Sequence, residues 1–176
     1  MPTPDTVDIR RLDGSDARAH LDGLAAVLHD CVEGGASVGY MAPFSQEDAL
    51  TAFEGFVSEL EEGRRLIVAA FEDGRVLGTA QVVLALMPNQ PHRGEVTKVL
   101  VHRRARRRGV ARLLMERAED EARAEGKTLL VLDAVTGGAA ERLYERMGWN
   151  RVGVIPNFAL YPDGRPCSTT FFWKPL

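Results

Sequence analysis

The sequence predicts an α/β fold in which helices cover both faces of a mixed, mostly antiparallel sheet of about seven strands. Three observations support this. The 176 residues are about the length of one domain. Segments with the apolar periods of strands and of helices follow one another along the whole chain. A strand, helix, strand sequence over 94–134 predicts a parallel pair beside otherwise antiparallel hairpins. We therefore expect a single domain spanning residues 1–176.

The first third of the chain predicts one strand and two helices. Residues 6–12 alternate as a short strand does. Ser15 is the predicted cap of a first helix, whose apolar residues form one stripe: Leu21, Leu24, Ala25 and Leu28. Ser45 and Asp48 form a variant capping box that begins a second helix, and Gly63 ends it.

The apolar period then changes to that of strands. Residues 65–72 and 75–86 predict two long strands joined by a turn at Asp73-Gly74. Residues 94–101 predict a third strand.

The second half predicts a helix, a central strand and a closing hairpin. The helix runs to about Glu125, with a buried face of Ala111, Met115, Ala118 and Ala122. Residues 128–134 are almost all apolar, which predicts a strand buried on both faces. A short helix over 138–148 follows, and then two strands over 151–161 and 166–176.

Composition narrows the classes of function. The formal net charge is −3 and the sequence pI is about 5.8, which does not favour a general nucleic-acid binder. Cys31 and Cys167 are too few for a disulfide framework and have no metal-ligand spacing, so we expect small buried side chains and no metal. Neither a signal-peptide pattern nor a membrane-spanning apolar run is found, which predicts a cytoplasmic protein without membrane contact.

A basic stretch before the third long helix predicts an anion site. In "HRRARRRGVARLLMERAEDEARAEGK" (102–127) the arginines lead into a helix start at Gly109. The first N–H groups of a helix have no internal partner, and the helix dipole places partial positive charge there. Gly109 lets a phosphate approach the backbone, and small Ala111 keeps the approach open. Flanking guanidinium groups add charge-assisted bonds: Arg106, Arg107, Arg108 and Arg112.

These residues resemble a known family. Arg106, Gly109 and Ala111, after a strand written "VTKVLV", resemble the acetyl-CoA pyrophosphate motif of the GNAT superfamily of N-acetyltransferases. The predicted order of elements is similar to that family's order over nearly the whole chain. Tyr144 in "ERLYERMGW" matches a tyrosine of the family pattern, although Trp149 replaces the usual Phe. Within the family, "GGASVGYM", "LLVLDA" and the "PDGR" turn are most similar to tabtoxin-resistance acetyltransferases.

The resemblance implies a GNAT fold with a splayed parallel pair in the middle, and acetyl-CoA as co-substrate. Residues of the strand over 94–101 would hold the pantetheine arm, and the basic loop after this strand would hold the pyrophosphate. Tyr144 would protonate the coenzyme A sulfur. The implied cofactor-binding residues are Val99, Leu100, Val101, Arg106, Arg107, Arg108, Gly109, Val110, Ala111, Arg112 and Tyr144.

Two carboxylates are candidates for the base that deprotonates the attacking amine. Asp133 ends an apolar run, where desolvation would raise its pKa, and the family commonly uses a glutamate on the strand of Glu95. Either could instead bind a cationic substrate or be a structural charge. The loop between the first helices and the closing hairpin usually surround the acceptor, which gives these candidates: Tyr40, Met41, Phe44, Glu95, Asp133, Phe158 and Tyr161.

The predicted activity is transfer of an acetyl group to the primary amine of a small molecule by direct attack. Acetylation of a protein N-terminus or lysine is the alternative. A nucleic-acid-binding module and a non-catalytic acyl-CoA sensor are further alternatives. A homodimer is expected through aromatic residues of the closing hairpin: Phe171, Phe172 and Trp173.

Overall fold

The computed structural model describes residues 7–85 and 87–176. In chain order the elements are β1 (Asp8–Arg11), α1 (Gly14–Ala19), α2 (Leu21–Glu33), α3 (Gln46–Glu61), β2 (Arg65–Glu72), β3 (Arg75–Val83), β4 (Arg93–Val101), a 3₁₀ turn (Arg103–Ala105), α4 (Val110–Ala124), β5 (Leu129–Val135), α5 (Ala139–Arg146), β6 (Asn150–Leu160) and β7 (Pro166–Pro175). The predicted ends of two strands, at Thr6 and Leu86, lie outside the described residues.

The strands form one seven-stranded sheet in the order β1-β2-β3-β4-β5-β7-β6. Only β4 and β5 pair in parallel; the other neighbouring strands pair antiparallel. Asp73 and Gly74 have φ angles of 49° and 74°, as the tight turn of the β2–β3 hairpin requires. The predicted mixed sheet with one parallel pair is confirmed.

Helices cover both faces of this sheet, as predicted. On one face, which we call the α1–α3 face, the core contains Phe53 and Ile67. On the opposite, α4–α5 face, the core contains Leu114, Met115 and buried residues of β3, β4 and β5. No helix of the described ranges is both long and apolar enough to cross a membrane.

The first helical region differs from the prediction. Ser15 lies inside α1, and Asp13 is the cap, because its Oδ1 accepts from the Asp16 N–H at 2.8 Å. The helical segment is also divided at His20, whose φ is −110°. The predicted capping box of Ser45 and Asp48 is confirmed at the start of α3.

Two burial predictions are wrong. In β5, Leu130, Leu132 and Ala134 are buried, but the alternating residues on the other face are half-buried or exposed. The strand is therefore buried on one face only, since helices do not cover the α1–α3 face beside it. In α4, Ala111 was predicted to lie on the buried face but is half-buried. Leu114, which was not in that prediction, is buried instead.

The parallel pair separates part of the way along its length. Only three residue pairs join β4 to β5, the last being Glu95 with Val131. Beyond that point β4 stays paired with β3, and β5 with β7. A register shift in β4 occurs where Lys98 has a φ of 51°, which is a β-bulge. We call the resulting gap between the C-terminal halves of β4 and β5 the opening.

Candidate active site

One side of the opening is the backbone of β4. Val99, Leu100 and Val101 lie beyond the last pair with β5. On that edge their peptide groups are not bonded to the neighbouring strand, so an extended chain that carries amides can bind there as an added strand does. The opening expected from the resemblance is thus present.

The start of α4 lies after the end of β4. The sequence predicts an anion site here, over residues 106–112, and we call this segment the cradle. Gly109 precedes the helix with a φ of 79°, and no side chain caps the helix. The first intrahelical bond is from the Leu113 N–H to the Gly109 carbonyl, at 3.2 Å. The amides of Val110, Ala111 and Arg112 precede it and have no intrahelical acceptor.

The space beside Gly109 is open to a ligand. A Cβ placed on this residue would have no protein atom within 4 Å. A phosphate can therefore approach the backbone of the cradle closely, where the helix dipole favours negative charge.

The arginines of the cradle are less available than the sequence suggested. Arg108 pairs with Glu72, and Arg112 with Glu116 at 2.7 Å. Arg106 donates to the Val101 carbonyl at 3.2 Å, whereas Arg107 is exposed with a φ of 62°. Protein carboxylates thus compensate two of the positive charges. The backbone amides, more than the guanidinium groups, support the assignment of an anion site.

Asp30, on α2, holds the segment that leads into the cradle. Its carboxylate accepts from the Arg103 N–H at 2.8 Å and from the Arg103 Nε at 2.9 Å. Burial alone would raise the pKa of Asp30, but these hydrogen bonds outweigh it and lower the pKa. Sequence reasoning missed this residue. Its one signal was an acidic side chain in the last turns of a helix, where the dipole disfavours it.

The two candidate bases lie on the α1–α3 face, one at the edge of the opening and one inside it. Glu95 belongs to the last pair and lies 3.8 Å from Arg93, with its side chain 45% exposed. Asp133 lies two residues beyond that pair, inside the opening. The side chain of Asp133 reaches solvent, yet the surrounding protein desolvates it enough to raise its pKa, and Lys98 partly opposes this rise.

Tyr144, on α5, lies on the opposite side of the opening. It is buried in the α4–α5 core, with its ring centroid 6.1 Å from those of both Trp149 and Phe172. Burial, and then the nearby charge of Asp133, raise the pKa of the phenol. Tyr144 therefore stays protonated at neutral pH, and it lies near enough to Asp133 for the charge of that carboxylate to add to the rise in its pKa.

Lys98 is a second residue that sequence reasoning missed. Its Nζ lies 5.5 Å from the centroid of the Tyr40 ring and 5.9 Å from that of Phe56, on the α1–α3 face. Burial and then the charge of Arg65 lower the pKa of Lys98, while Asp133 raises it. The available signal was the pair of consecutive polar residues in "VTKVLV", since a bulge breaks the alternation of a strand.

The predicted acceptor residues lie around the α1–α3 side of the opening. The rings of Tyr40 and Phe44 are 4.7 Å apart and half-buried, and Met41 is exposed. Phe158 is exposed and lies edge-to-face on Phe171, at 5.3 Å. The loop 34–44 is joined to the closing hairpin by hydrogen bonds from the Ser37 hydroxyl to the Leu160 carbonyl (2.7 Å) and from the Ala42 N–H to the Pro162 carbonyl (3.0 Å).

The closing hairpin differs from the expected interface. Trp173 is 41% exposed, but Phe172 is buried in the core. The exposed apolar residues lie mainly on edge strand β6: Val152, Val154, Ile155, Phe158 and Leu160. Both cysteines are free and buried, as expected. Within the described ranges, no three His, Cys, Asp or Glu side chains are grouped so that they could hold a metal ion.

Comparison with known proteins gives concordant matches. The model of the acetyltransferase (GNAT) family matches residues 29–149. A curated protein described as an uncharacterized N-acetyltransferase in the hisH-hisA intergenic region of Azospirillum brasilense is 33% identical over 115 residues, which are 64% of this chain and 67% of that protein.

Solved structures share the fold. An N-acetyltransferase from Staphylococcus aureus Mu50 has a TM-score of 0.79 at 22% identity, over 97% of this chain and 98% of its own. A GCN5-related N-acetyltransferase from Kribbella flavida has a TM-score of 0.81 at 22% identity, over 99% and 100%. The protein yncA from Salmonella typhimurium, solved with its cofactor acetyl-CoA, has a TM-score of 0.78 at 23% identity, over 97% of this chain and 94% of its own.

Proposed function

Since the chain belongs to the acetyltransferase (GNAT) family and is an N-acetyltransferase, we propose that it transfers the acetyl group of acetyl-CoA to the primary amine of a small molecule. The observation that carries this proposal is the opening between β4 and β5. It has Asp133 on one face, Tyr144 on the other, and the cradle where β4 leads into α4.

The described residues fit acetyl-CoA. The open backbone of the cradle suits a pyrophosphate, because three helix-start amides and the helix dipole converge there. The edge of β4 over Val99–Val101 suits the amides of a pantetheine arm. Bound in this way, the thioester supplies the activated acetyl group at the opening.

The chain then supplies three functions. Asp133 accepts a proton from the acceptor ammonium, so that the neutral nitrogen attacks the carbonyl carbon. The N–H of Val99 or Leu100 polarises the carbonyl oxygen as an oxyanion hole does. As the N–C bond forms and the C–S bond breaks, Tyr144 donates its proton to the leaving thiolate. The nitrogen then loses its remaining excess proton to solvent, and a proton from solvent restores the phenol. No protein nucleophile is needed.

We assign the base to Asp133 rather than to Glu95. Asp133 lies inside the opening, and desolvation raises its pKa toward the range useful for a base. Glu95 lies where β4 and β5 are still paired, and Arg93 is its neighbour. Glu95 is therefore better placed to attract a cationic acceptor than to move its proton.

The test combines binding with turnover. Calorimetry should show that acetyl-CoA binds, and a thiol-release assay with a panel of amines should show turnover. We expect Asp133→Asn and Tyr144→Phe each to lower kcat by about 100-fold or more, with a much smaller loss for Glu95→Gln. Wild-type protein that does not bind acetyl-CoA would overturn the proposal. Full activity in Asp133→Asn would remove the assignment of the base.

The loop 34–44 is held against the closing hairpin by hydrogen bonds, which narrows the approach on the α1–α3 side and supports a small acceptor over a protein lysine or N-terminus. The proposed likeness to tabtoxin-resistance acetyltransferases is a hypothesis that the same amine panel tests. A homodimer and a cytoplasmic location stay predictions.

A further inference from the structure

The position of Lys98 is set by the bulge in β4. Val96 and Val99 contribute to the α4–α5 core, so Thr97 and Lys98 are consecutive residues that both face the α1–α3 side. The ammonium lies over the Tyr40 and Phe56 rings, and a Cβ on Gly39 would come within 3.5 Å of Nζ. Lys98 therefore lies between the opening and the loop that encloses the acceptor side.

Lys98 has no close counter-ion. Among residues 7–85 and 87–176, no carboxylate lies within ion-pair distance of its Nζ, although Asp133 is near enough to raise its pKa. Removing an ammonium group from water without a partner is unfavourable, and the two aromatic faces compensate only partly. An anionic ligand at this position would be strongly favoured.

A second polar group on the same face also lacks a partner. Gln81 is fully buried, and its Oε1 accepts from Arg65 at 2.7 Å. That bond fixes the amide orientation, which makes Nε2 a donor, yet within the described part of the chain Nε2 has no acceptor. Gln81 pairs with Thr97, the residue before Lys98. Arg65 is itself buried and paired with Glu59, so Lys98 is the cation of this part of the face that has no carboxylate beside it within the described ranges.

We propose that the acceptor is an amino acid, and that Lys98 binds its carboxylate while its amine is held beside Asp133. This inference rests on the function proposed above. It follows from the arrangement of one unpaired cation and one desolvated carboxylate on the same face of the opening. Together they match a zwitterion, in which an ammonium and a carboxylate are separated by a few bonds. A plain amine or a polyamine would leave Lys98 unpaired.

The test compares acceptors that differ only in the carboxylate. The panel contains the proteinogenic amino acids, β-alanine and γ-aminobutyrate, each beside the amine obtained by removing its carboxyl group. Wild-type kcat/KM should be about 10- to 100-fold higher for the preferred amino acid than for its decarboxylated partner, the range expected of a hydrogen bond to a charged group. Lys98→Met should abolish most of that ratio by raising the KM of the amino acid.

The change in this ratio between the wild type and Lys98→Met is the decisive readout. Removal of the carboxyl group also makes the acceptor amine more basic, but that difference is a property of the acceptors and is the same for both proteins. Lys127→Met is the matched control: Lys127 donates to the carbonyls of Leu84 and Pro91, away from the opening, and its loss should leave the ratio unchanged. Calorimetric titration of acetyl-CoA tests the proposed function separately from the acceptor, because it needs no acceptor.

Wild-type protein that does not bind acetyl-CoA would remove the proposed function itself. If acetyl-CoA binds but no amino acid in the panel is acetylated, the inference about the acceptor is wrong. It is equally wrong if the wild type does not prefer the carboxylated acceptor, or if Lys98→Met keeps the preference.

Discussion

Gly109 and Gly126 lie at the two ends of α4 and allow a controlled test of the cradle. Their φ angles are 79° and 78°, and at neither would an added Cβ meet a protein atom within 4 Å. Gly109→Ala and Gly126→Ala therefore impose the same backbone cost on folding. An alanine in the left-handed region costs about 1–2 kcal/mol, so both variants should lose that much free energy of unfolding in chemical denaturation.

The two variants should differ in the binding of acetyl-CoA. At Gly109 the new methyl group enters the space that a pyrophosphate needs in order to reach the amides of residues 110–112. Loss of one or two charge-assisted hydrogen bonds, at about 1.5–3 kcal/mol each, weakens binding by at least about 10-fold. At Gly126, the C-terminal end of the same helix, the Kd should stay within about twofold of the wild-type value.

Calorimetric titration of acetyl-CoA into the three proteins gives the answer. Equal Kd values for Gly109→Ala and the wild type would refute the claim that the ligand approaches this backbone. Equal weakening in both variants would mean that a general distortion of α4, and not the cradle, is being measured.

Three further predictions concern the surroundings of the site. Asp30→Asn should raise the Kd for acetyl-CoA by a larger factor than it lowers kcat, because the segment before the cradle loses its hydrogen bonds to α2. A larger effect on kcat than on Kd would contradict this. The acidic limb of the pH profile of kcat/KM should lie above the ordinary pKa of aspartate, since burial raises the pKa of Asp133. In Lys98→Met this acidic limb should move to higher pH, because the variant lacks the ammonium that lowers the pKa of Asp133. A move to lower pH would exclude Asp133 as the base. Gly78→Ala should lower the free energy of unfolding by about 1–3 kcal/mol, because its Cβ would lie 2.6 Å from a backbone carbonyl of β4. The Cβ of Gly23→Ala would meet only a side chain, at 2.9 Å, so this variant should lose less free energy of unfolding. Chemical denaturation curves compare the two variants.

The sequence predicted what depends on local pattern. The β2–β3 turn and the capping box of α3 follow from turn and capping chemistry, and both are confirmed. The order of elements follows from apolar period and is confirmed except that the first predicted helix is divided into α1 and α2. The cap of α1 was placed two residues late, because Ser15 and Asp13 are both good caps and only the backbone angles decide between them.

The contacts that shape the site are long-range, which is why the sequence did not show them. Asp30 and Arg103 are 73 residues apart, and Arg108 and Glu72 are 36 apart. A basic run in the sequence therefore does not reveal how much of its charge the fold already compensates. By contrast, the pair of Arg112 with Glu116 has the i, i+4 spacing of helical ion pairs and was readable in advance.

Under the proposed function, the base and the acid need different surroundings, and the two sides of the opening provide them. Asp133 is on the α1–α3 face, where β5 is left uncovered and an acceptor can enter, so it reaches solvent and can pass on its proton. Tyr144 is enclosed by Trp149 and Phe172 on the α4–α5 face, so in the proposed reaction water would compete less with it to protonate the thiolate. In the proposed reaction, the sheet would thus separate the base, on the acceptor side, from the acid that protonates the co-substrate's thiolate. Changes in the loop 34–44 can alter the acceptor while the cradle and the phenol stay as they are.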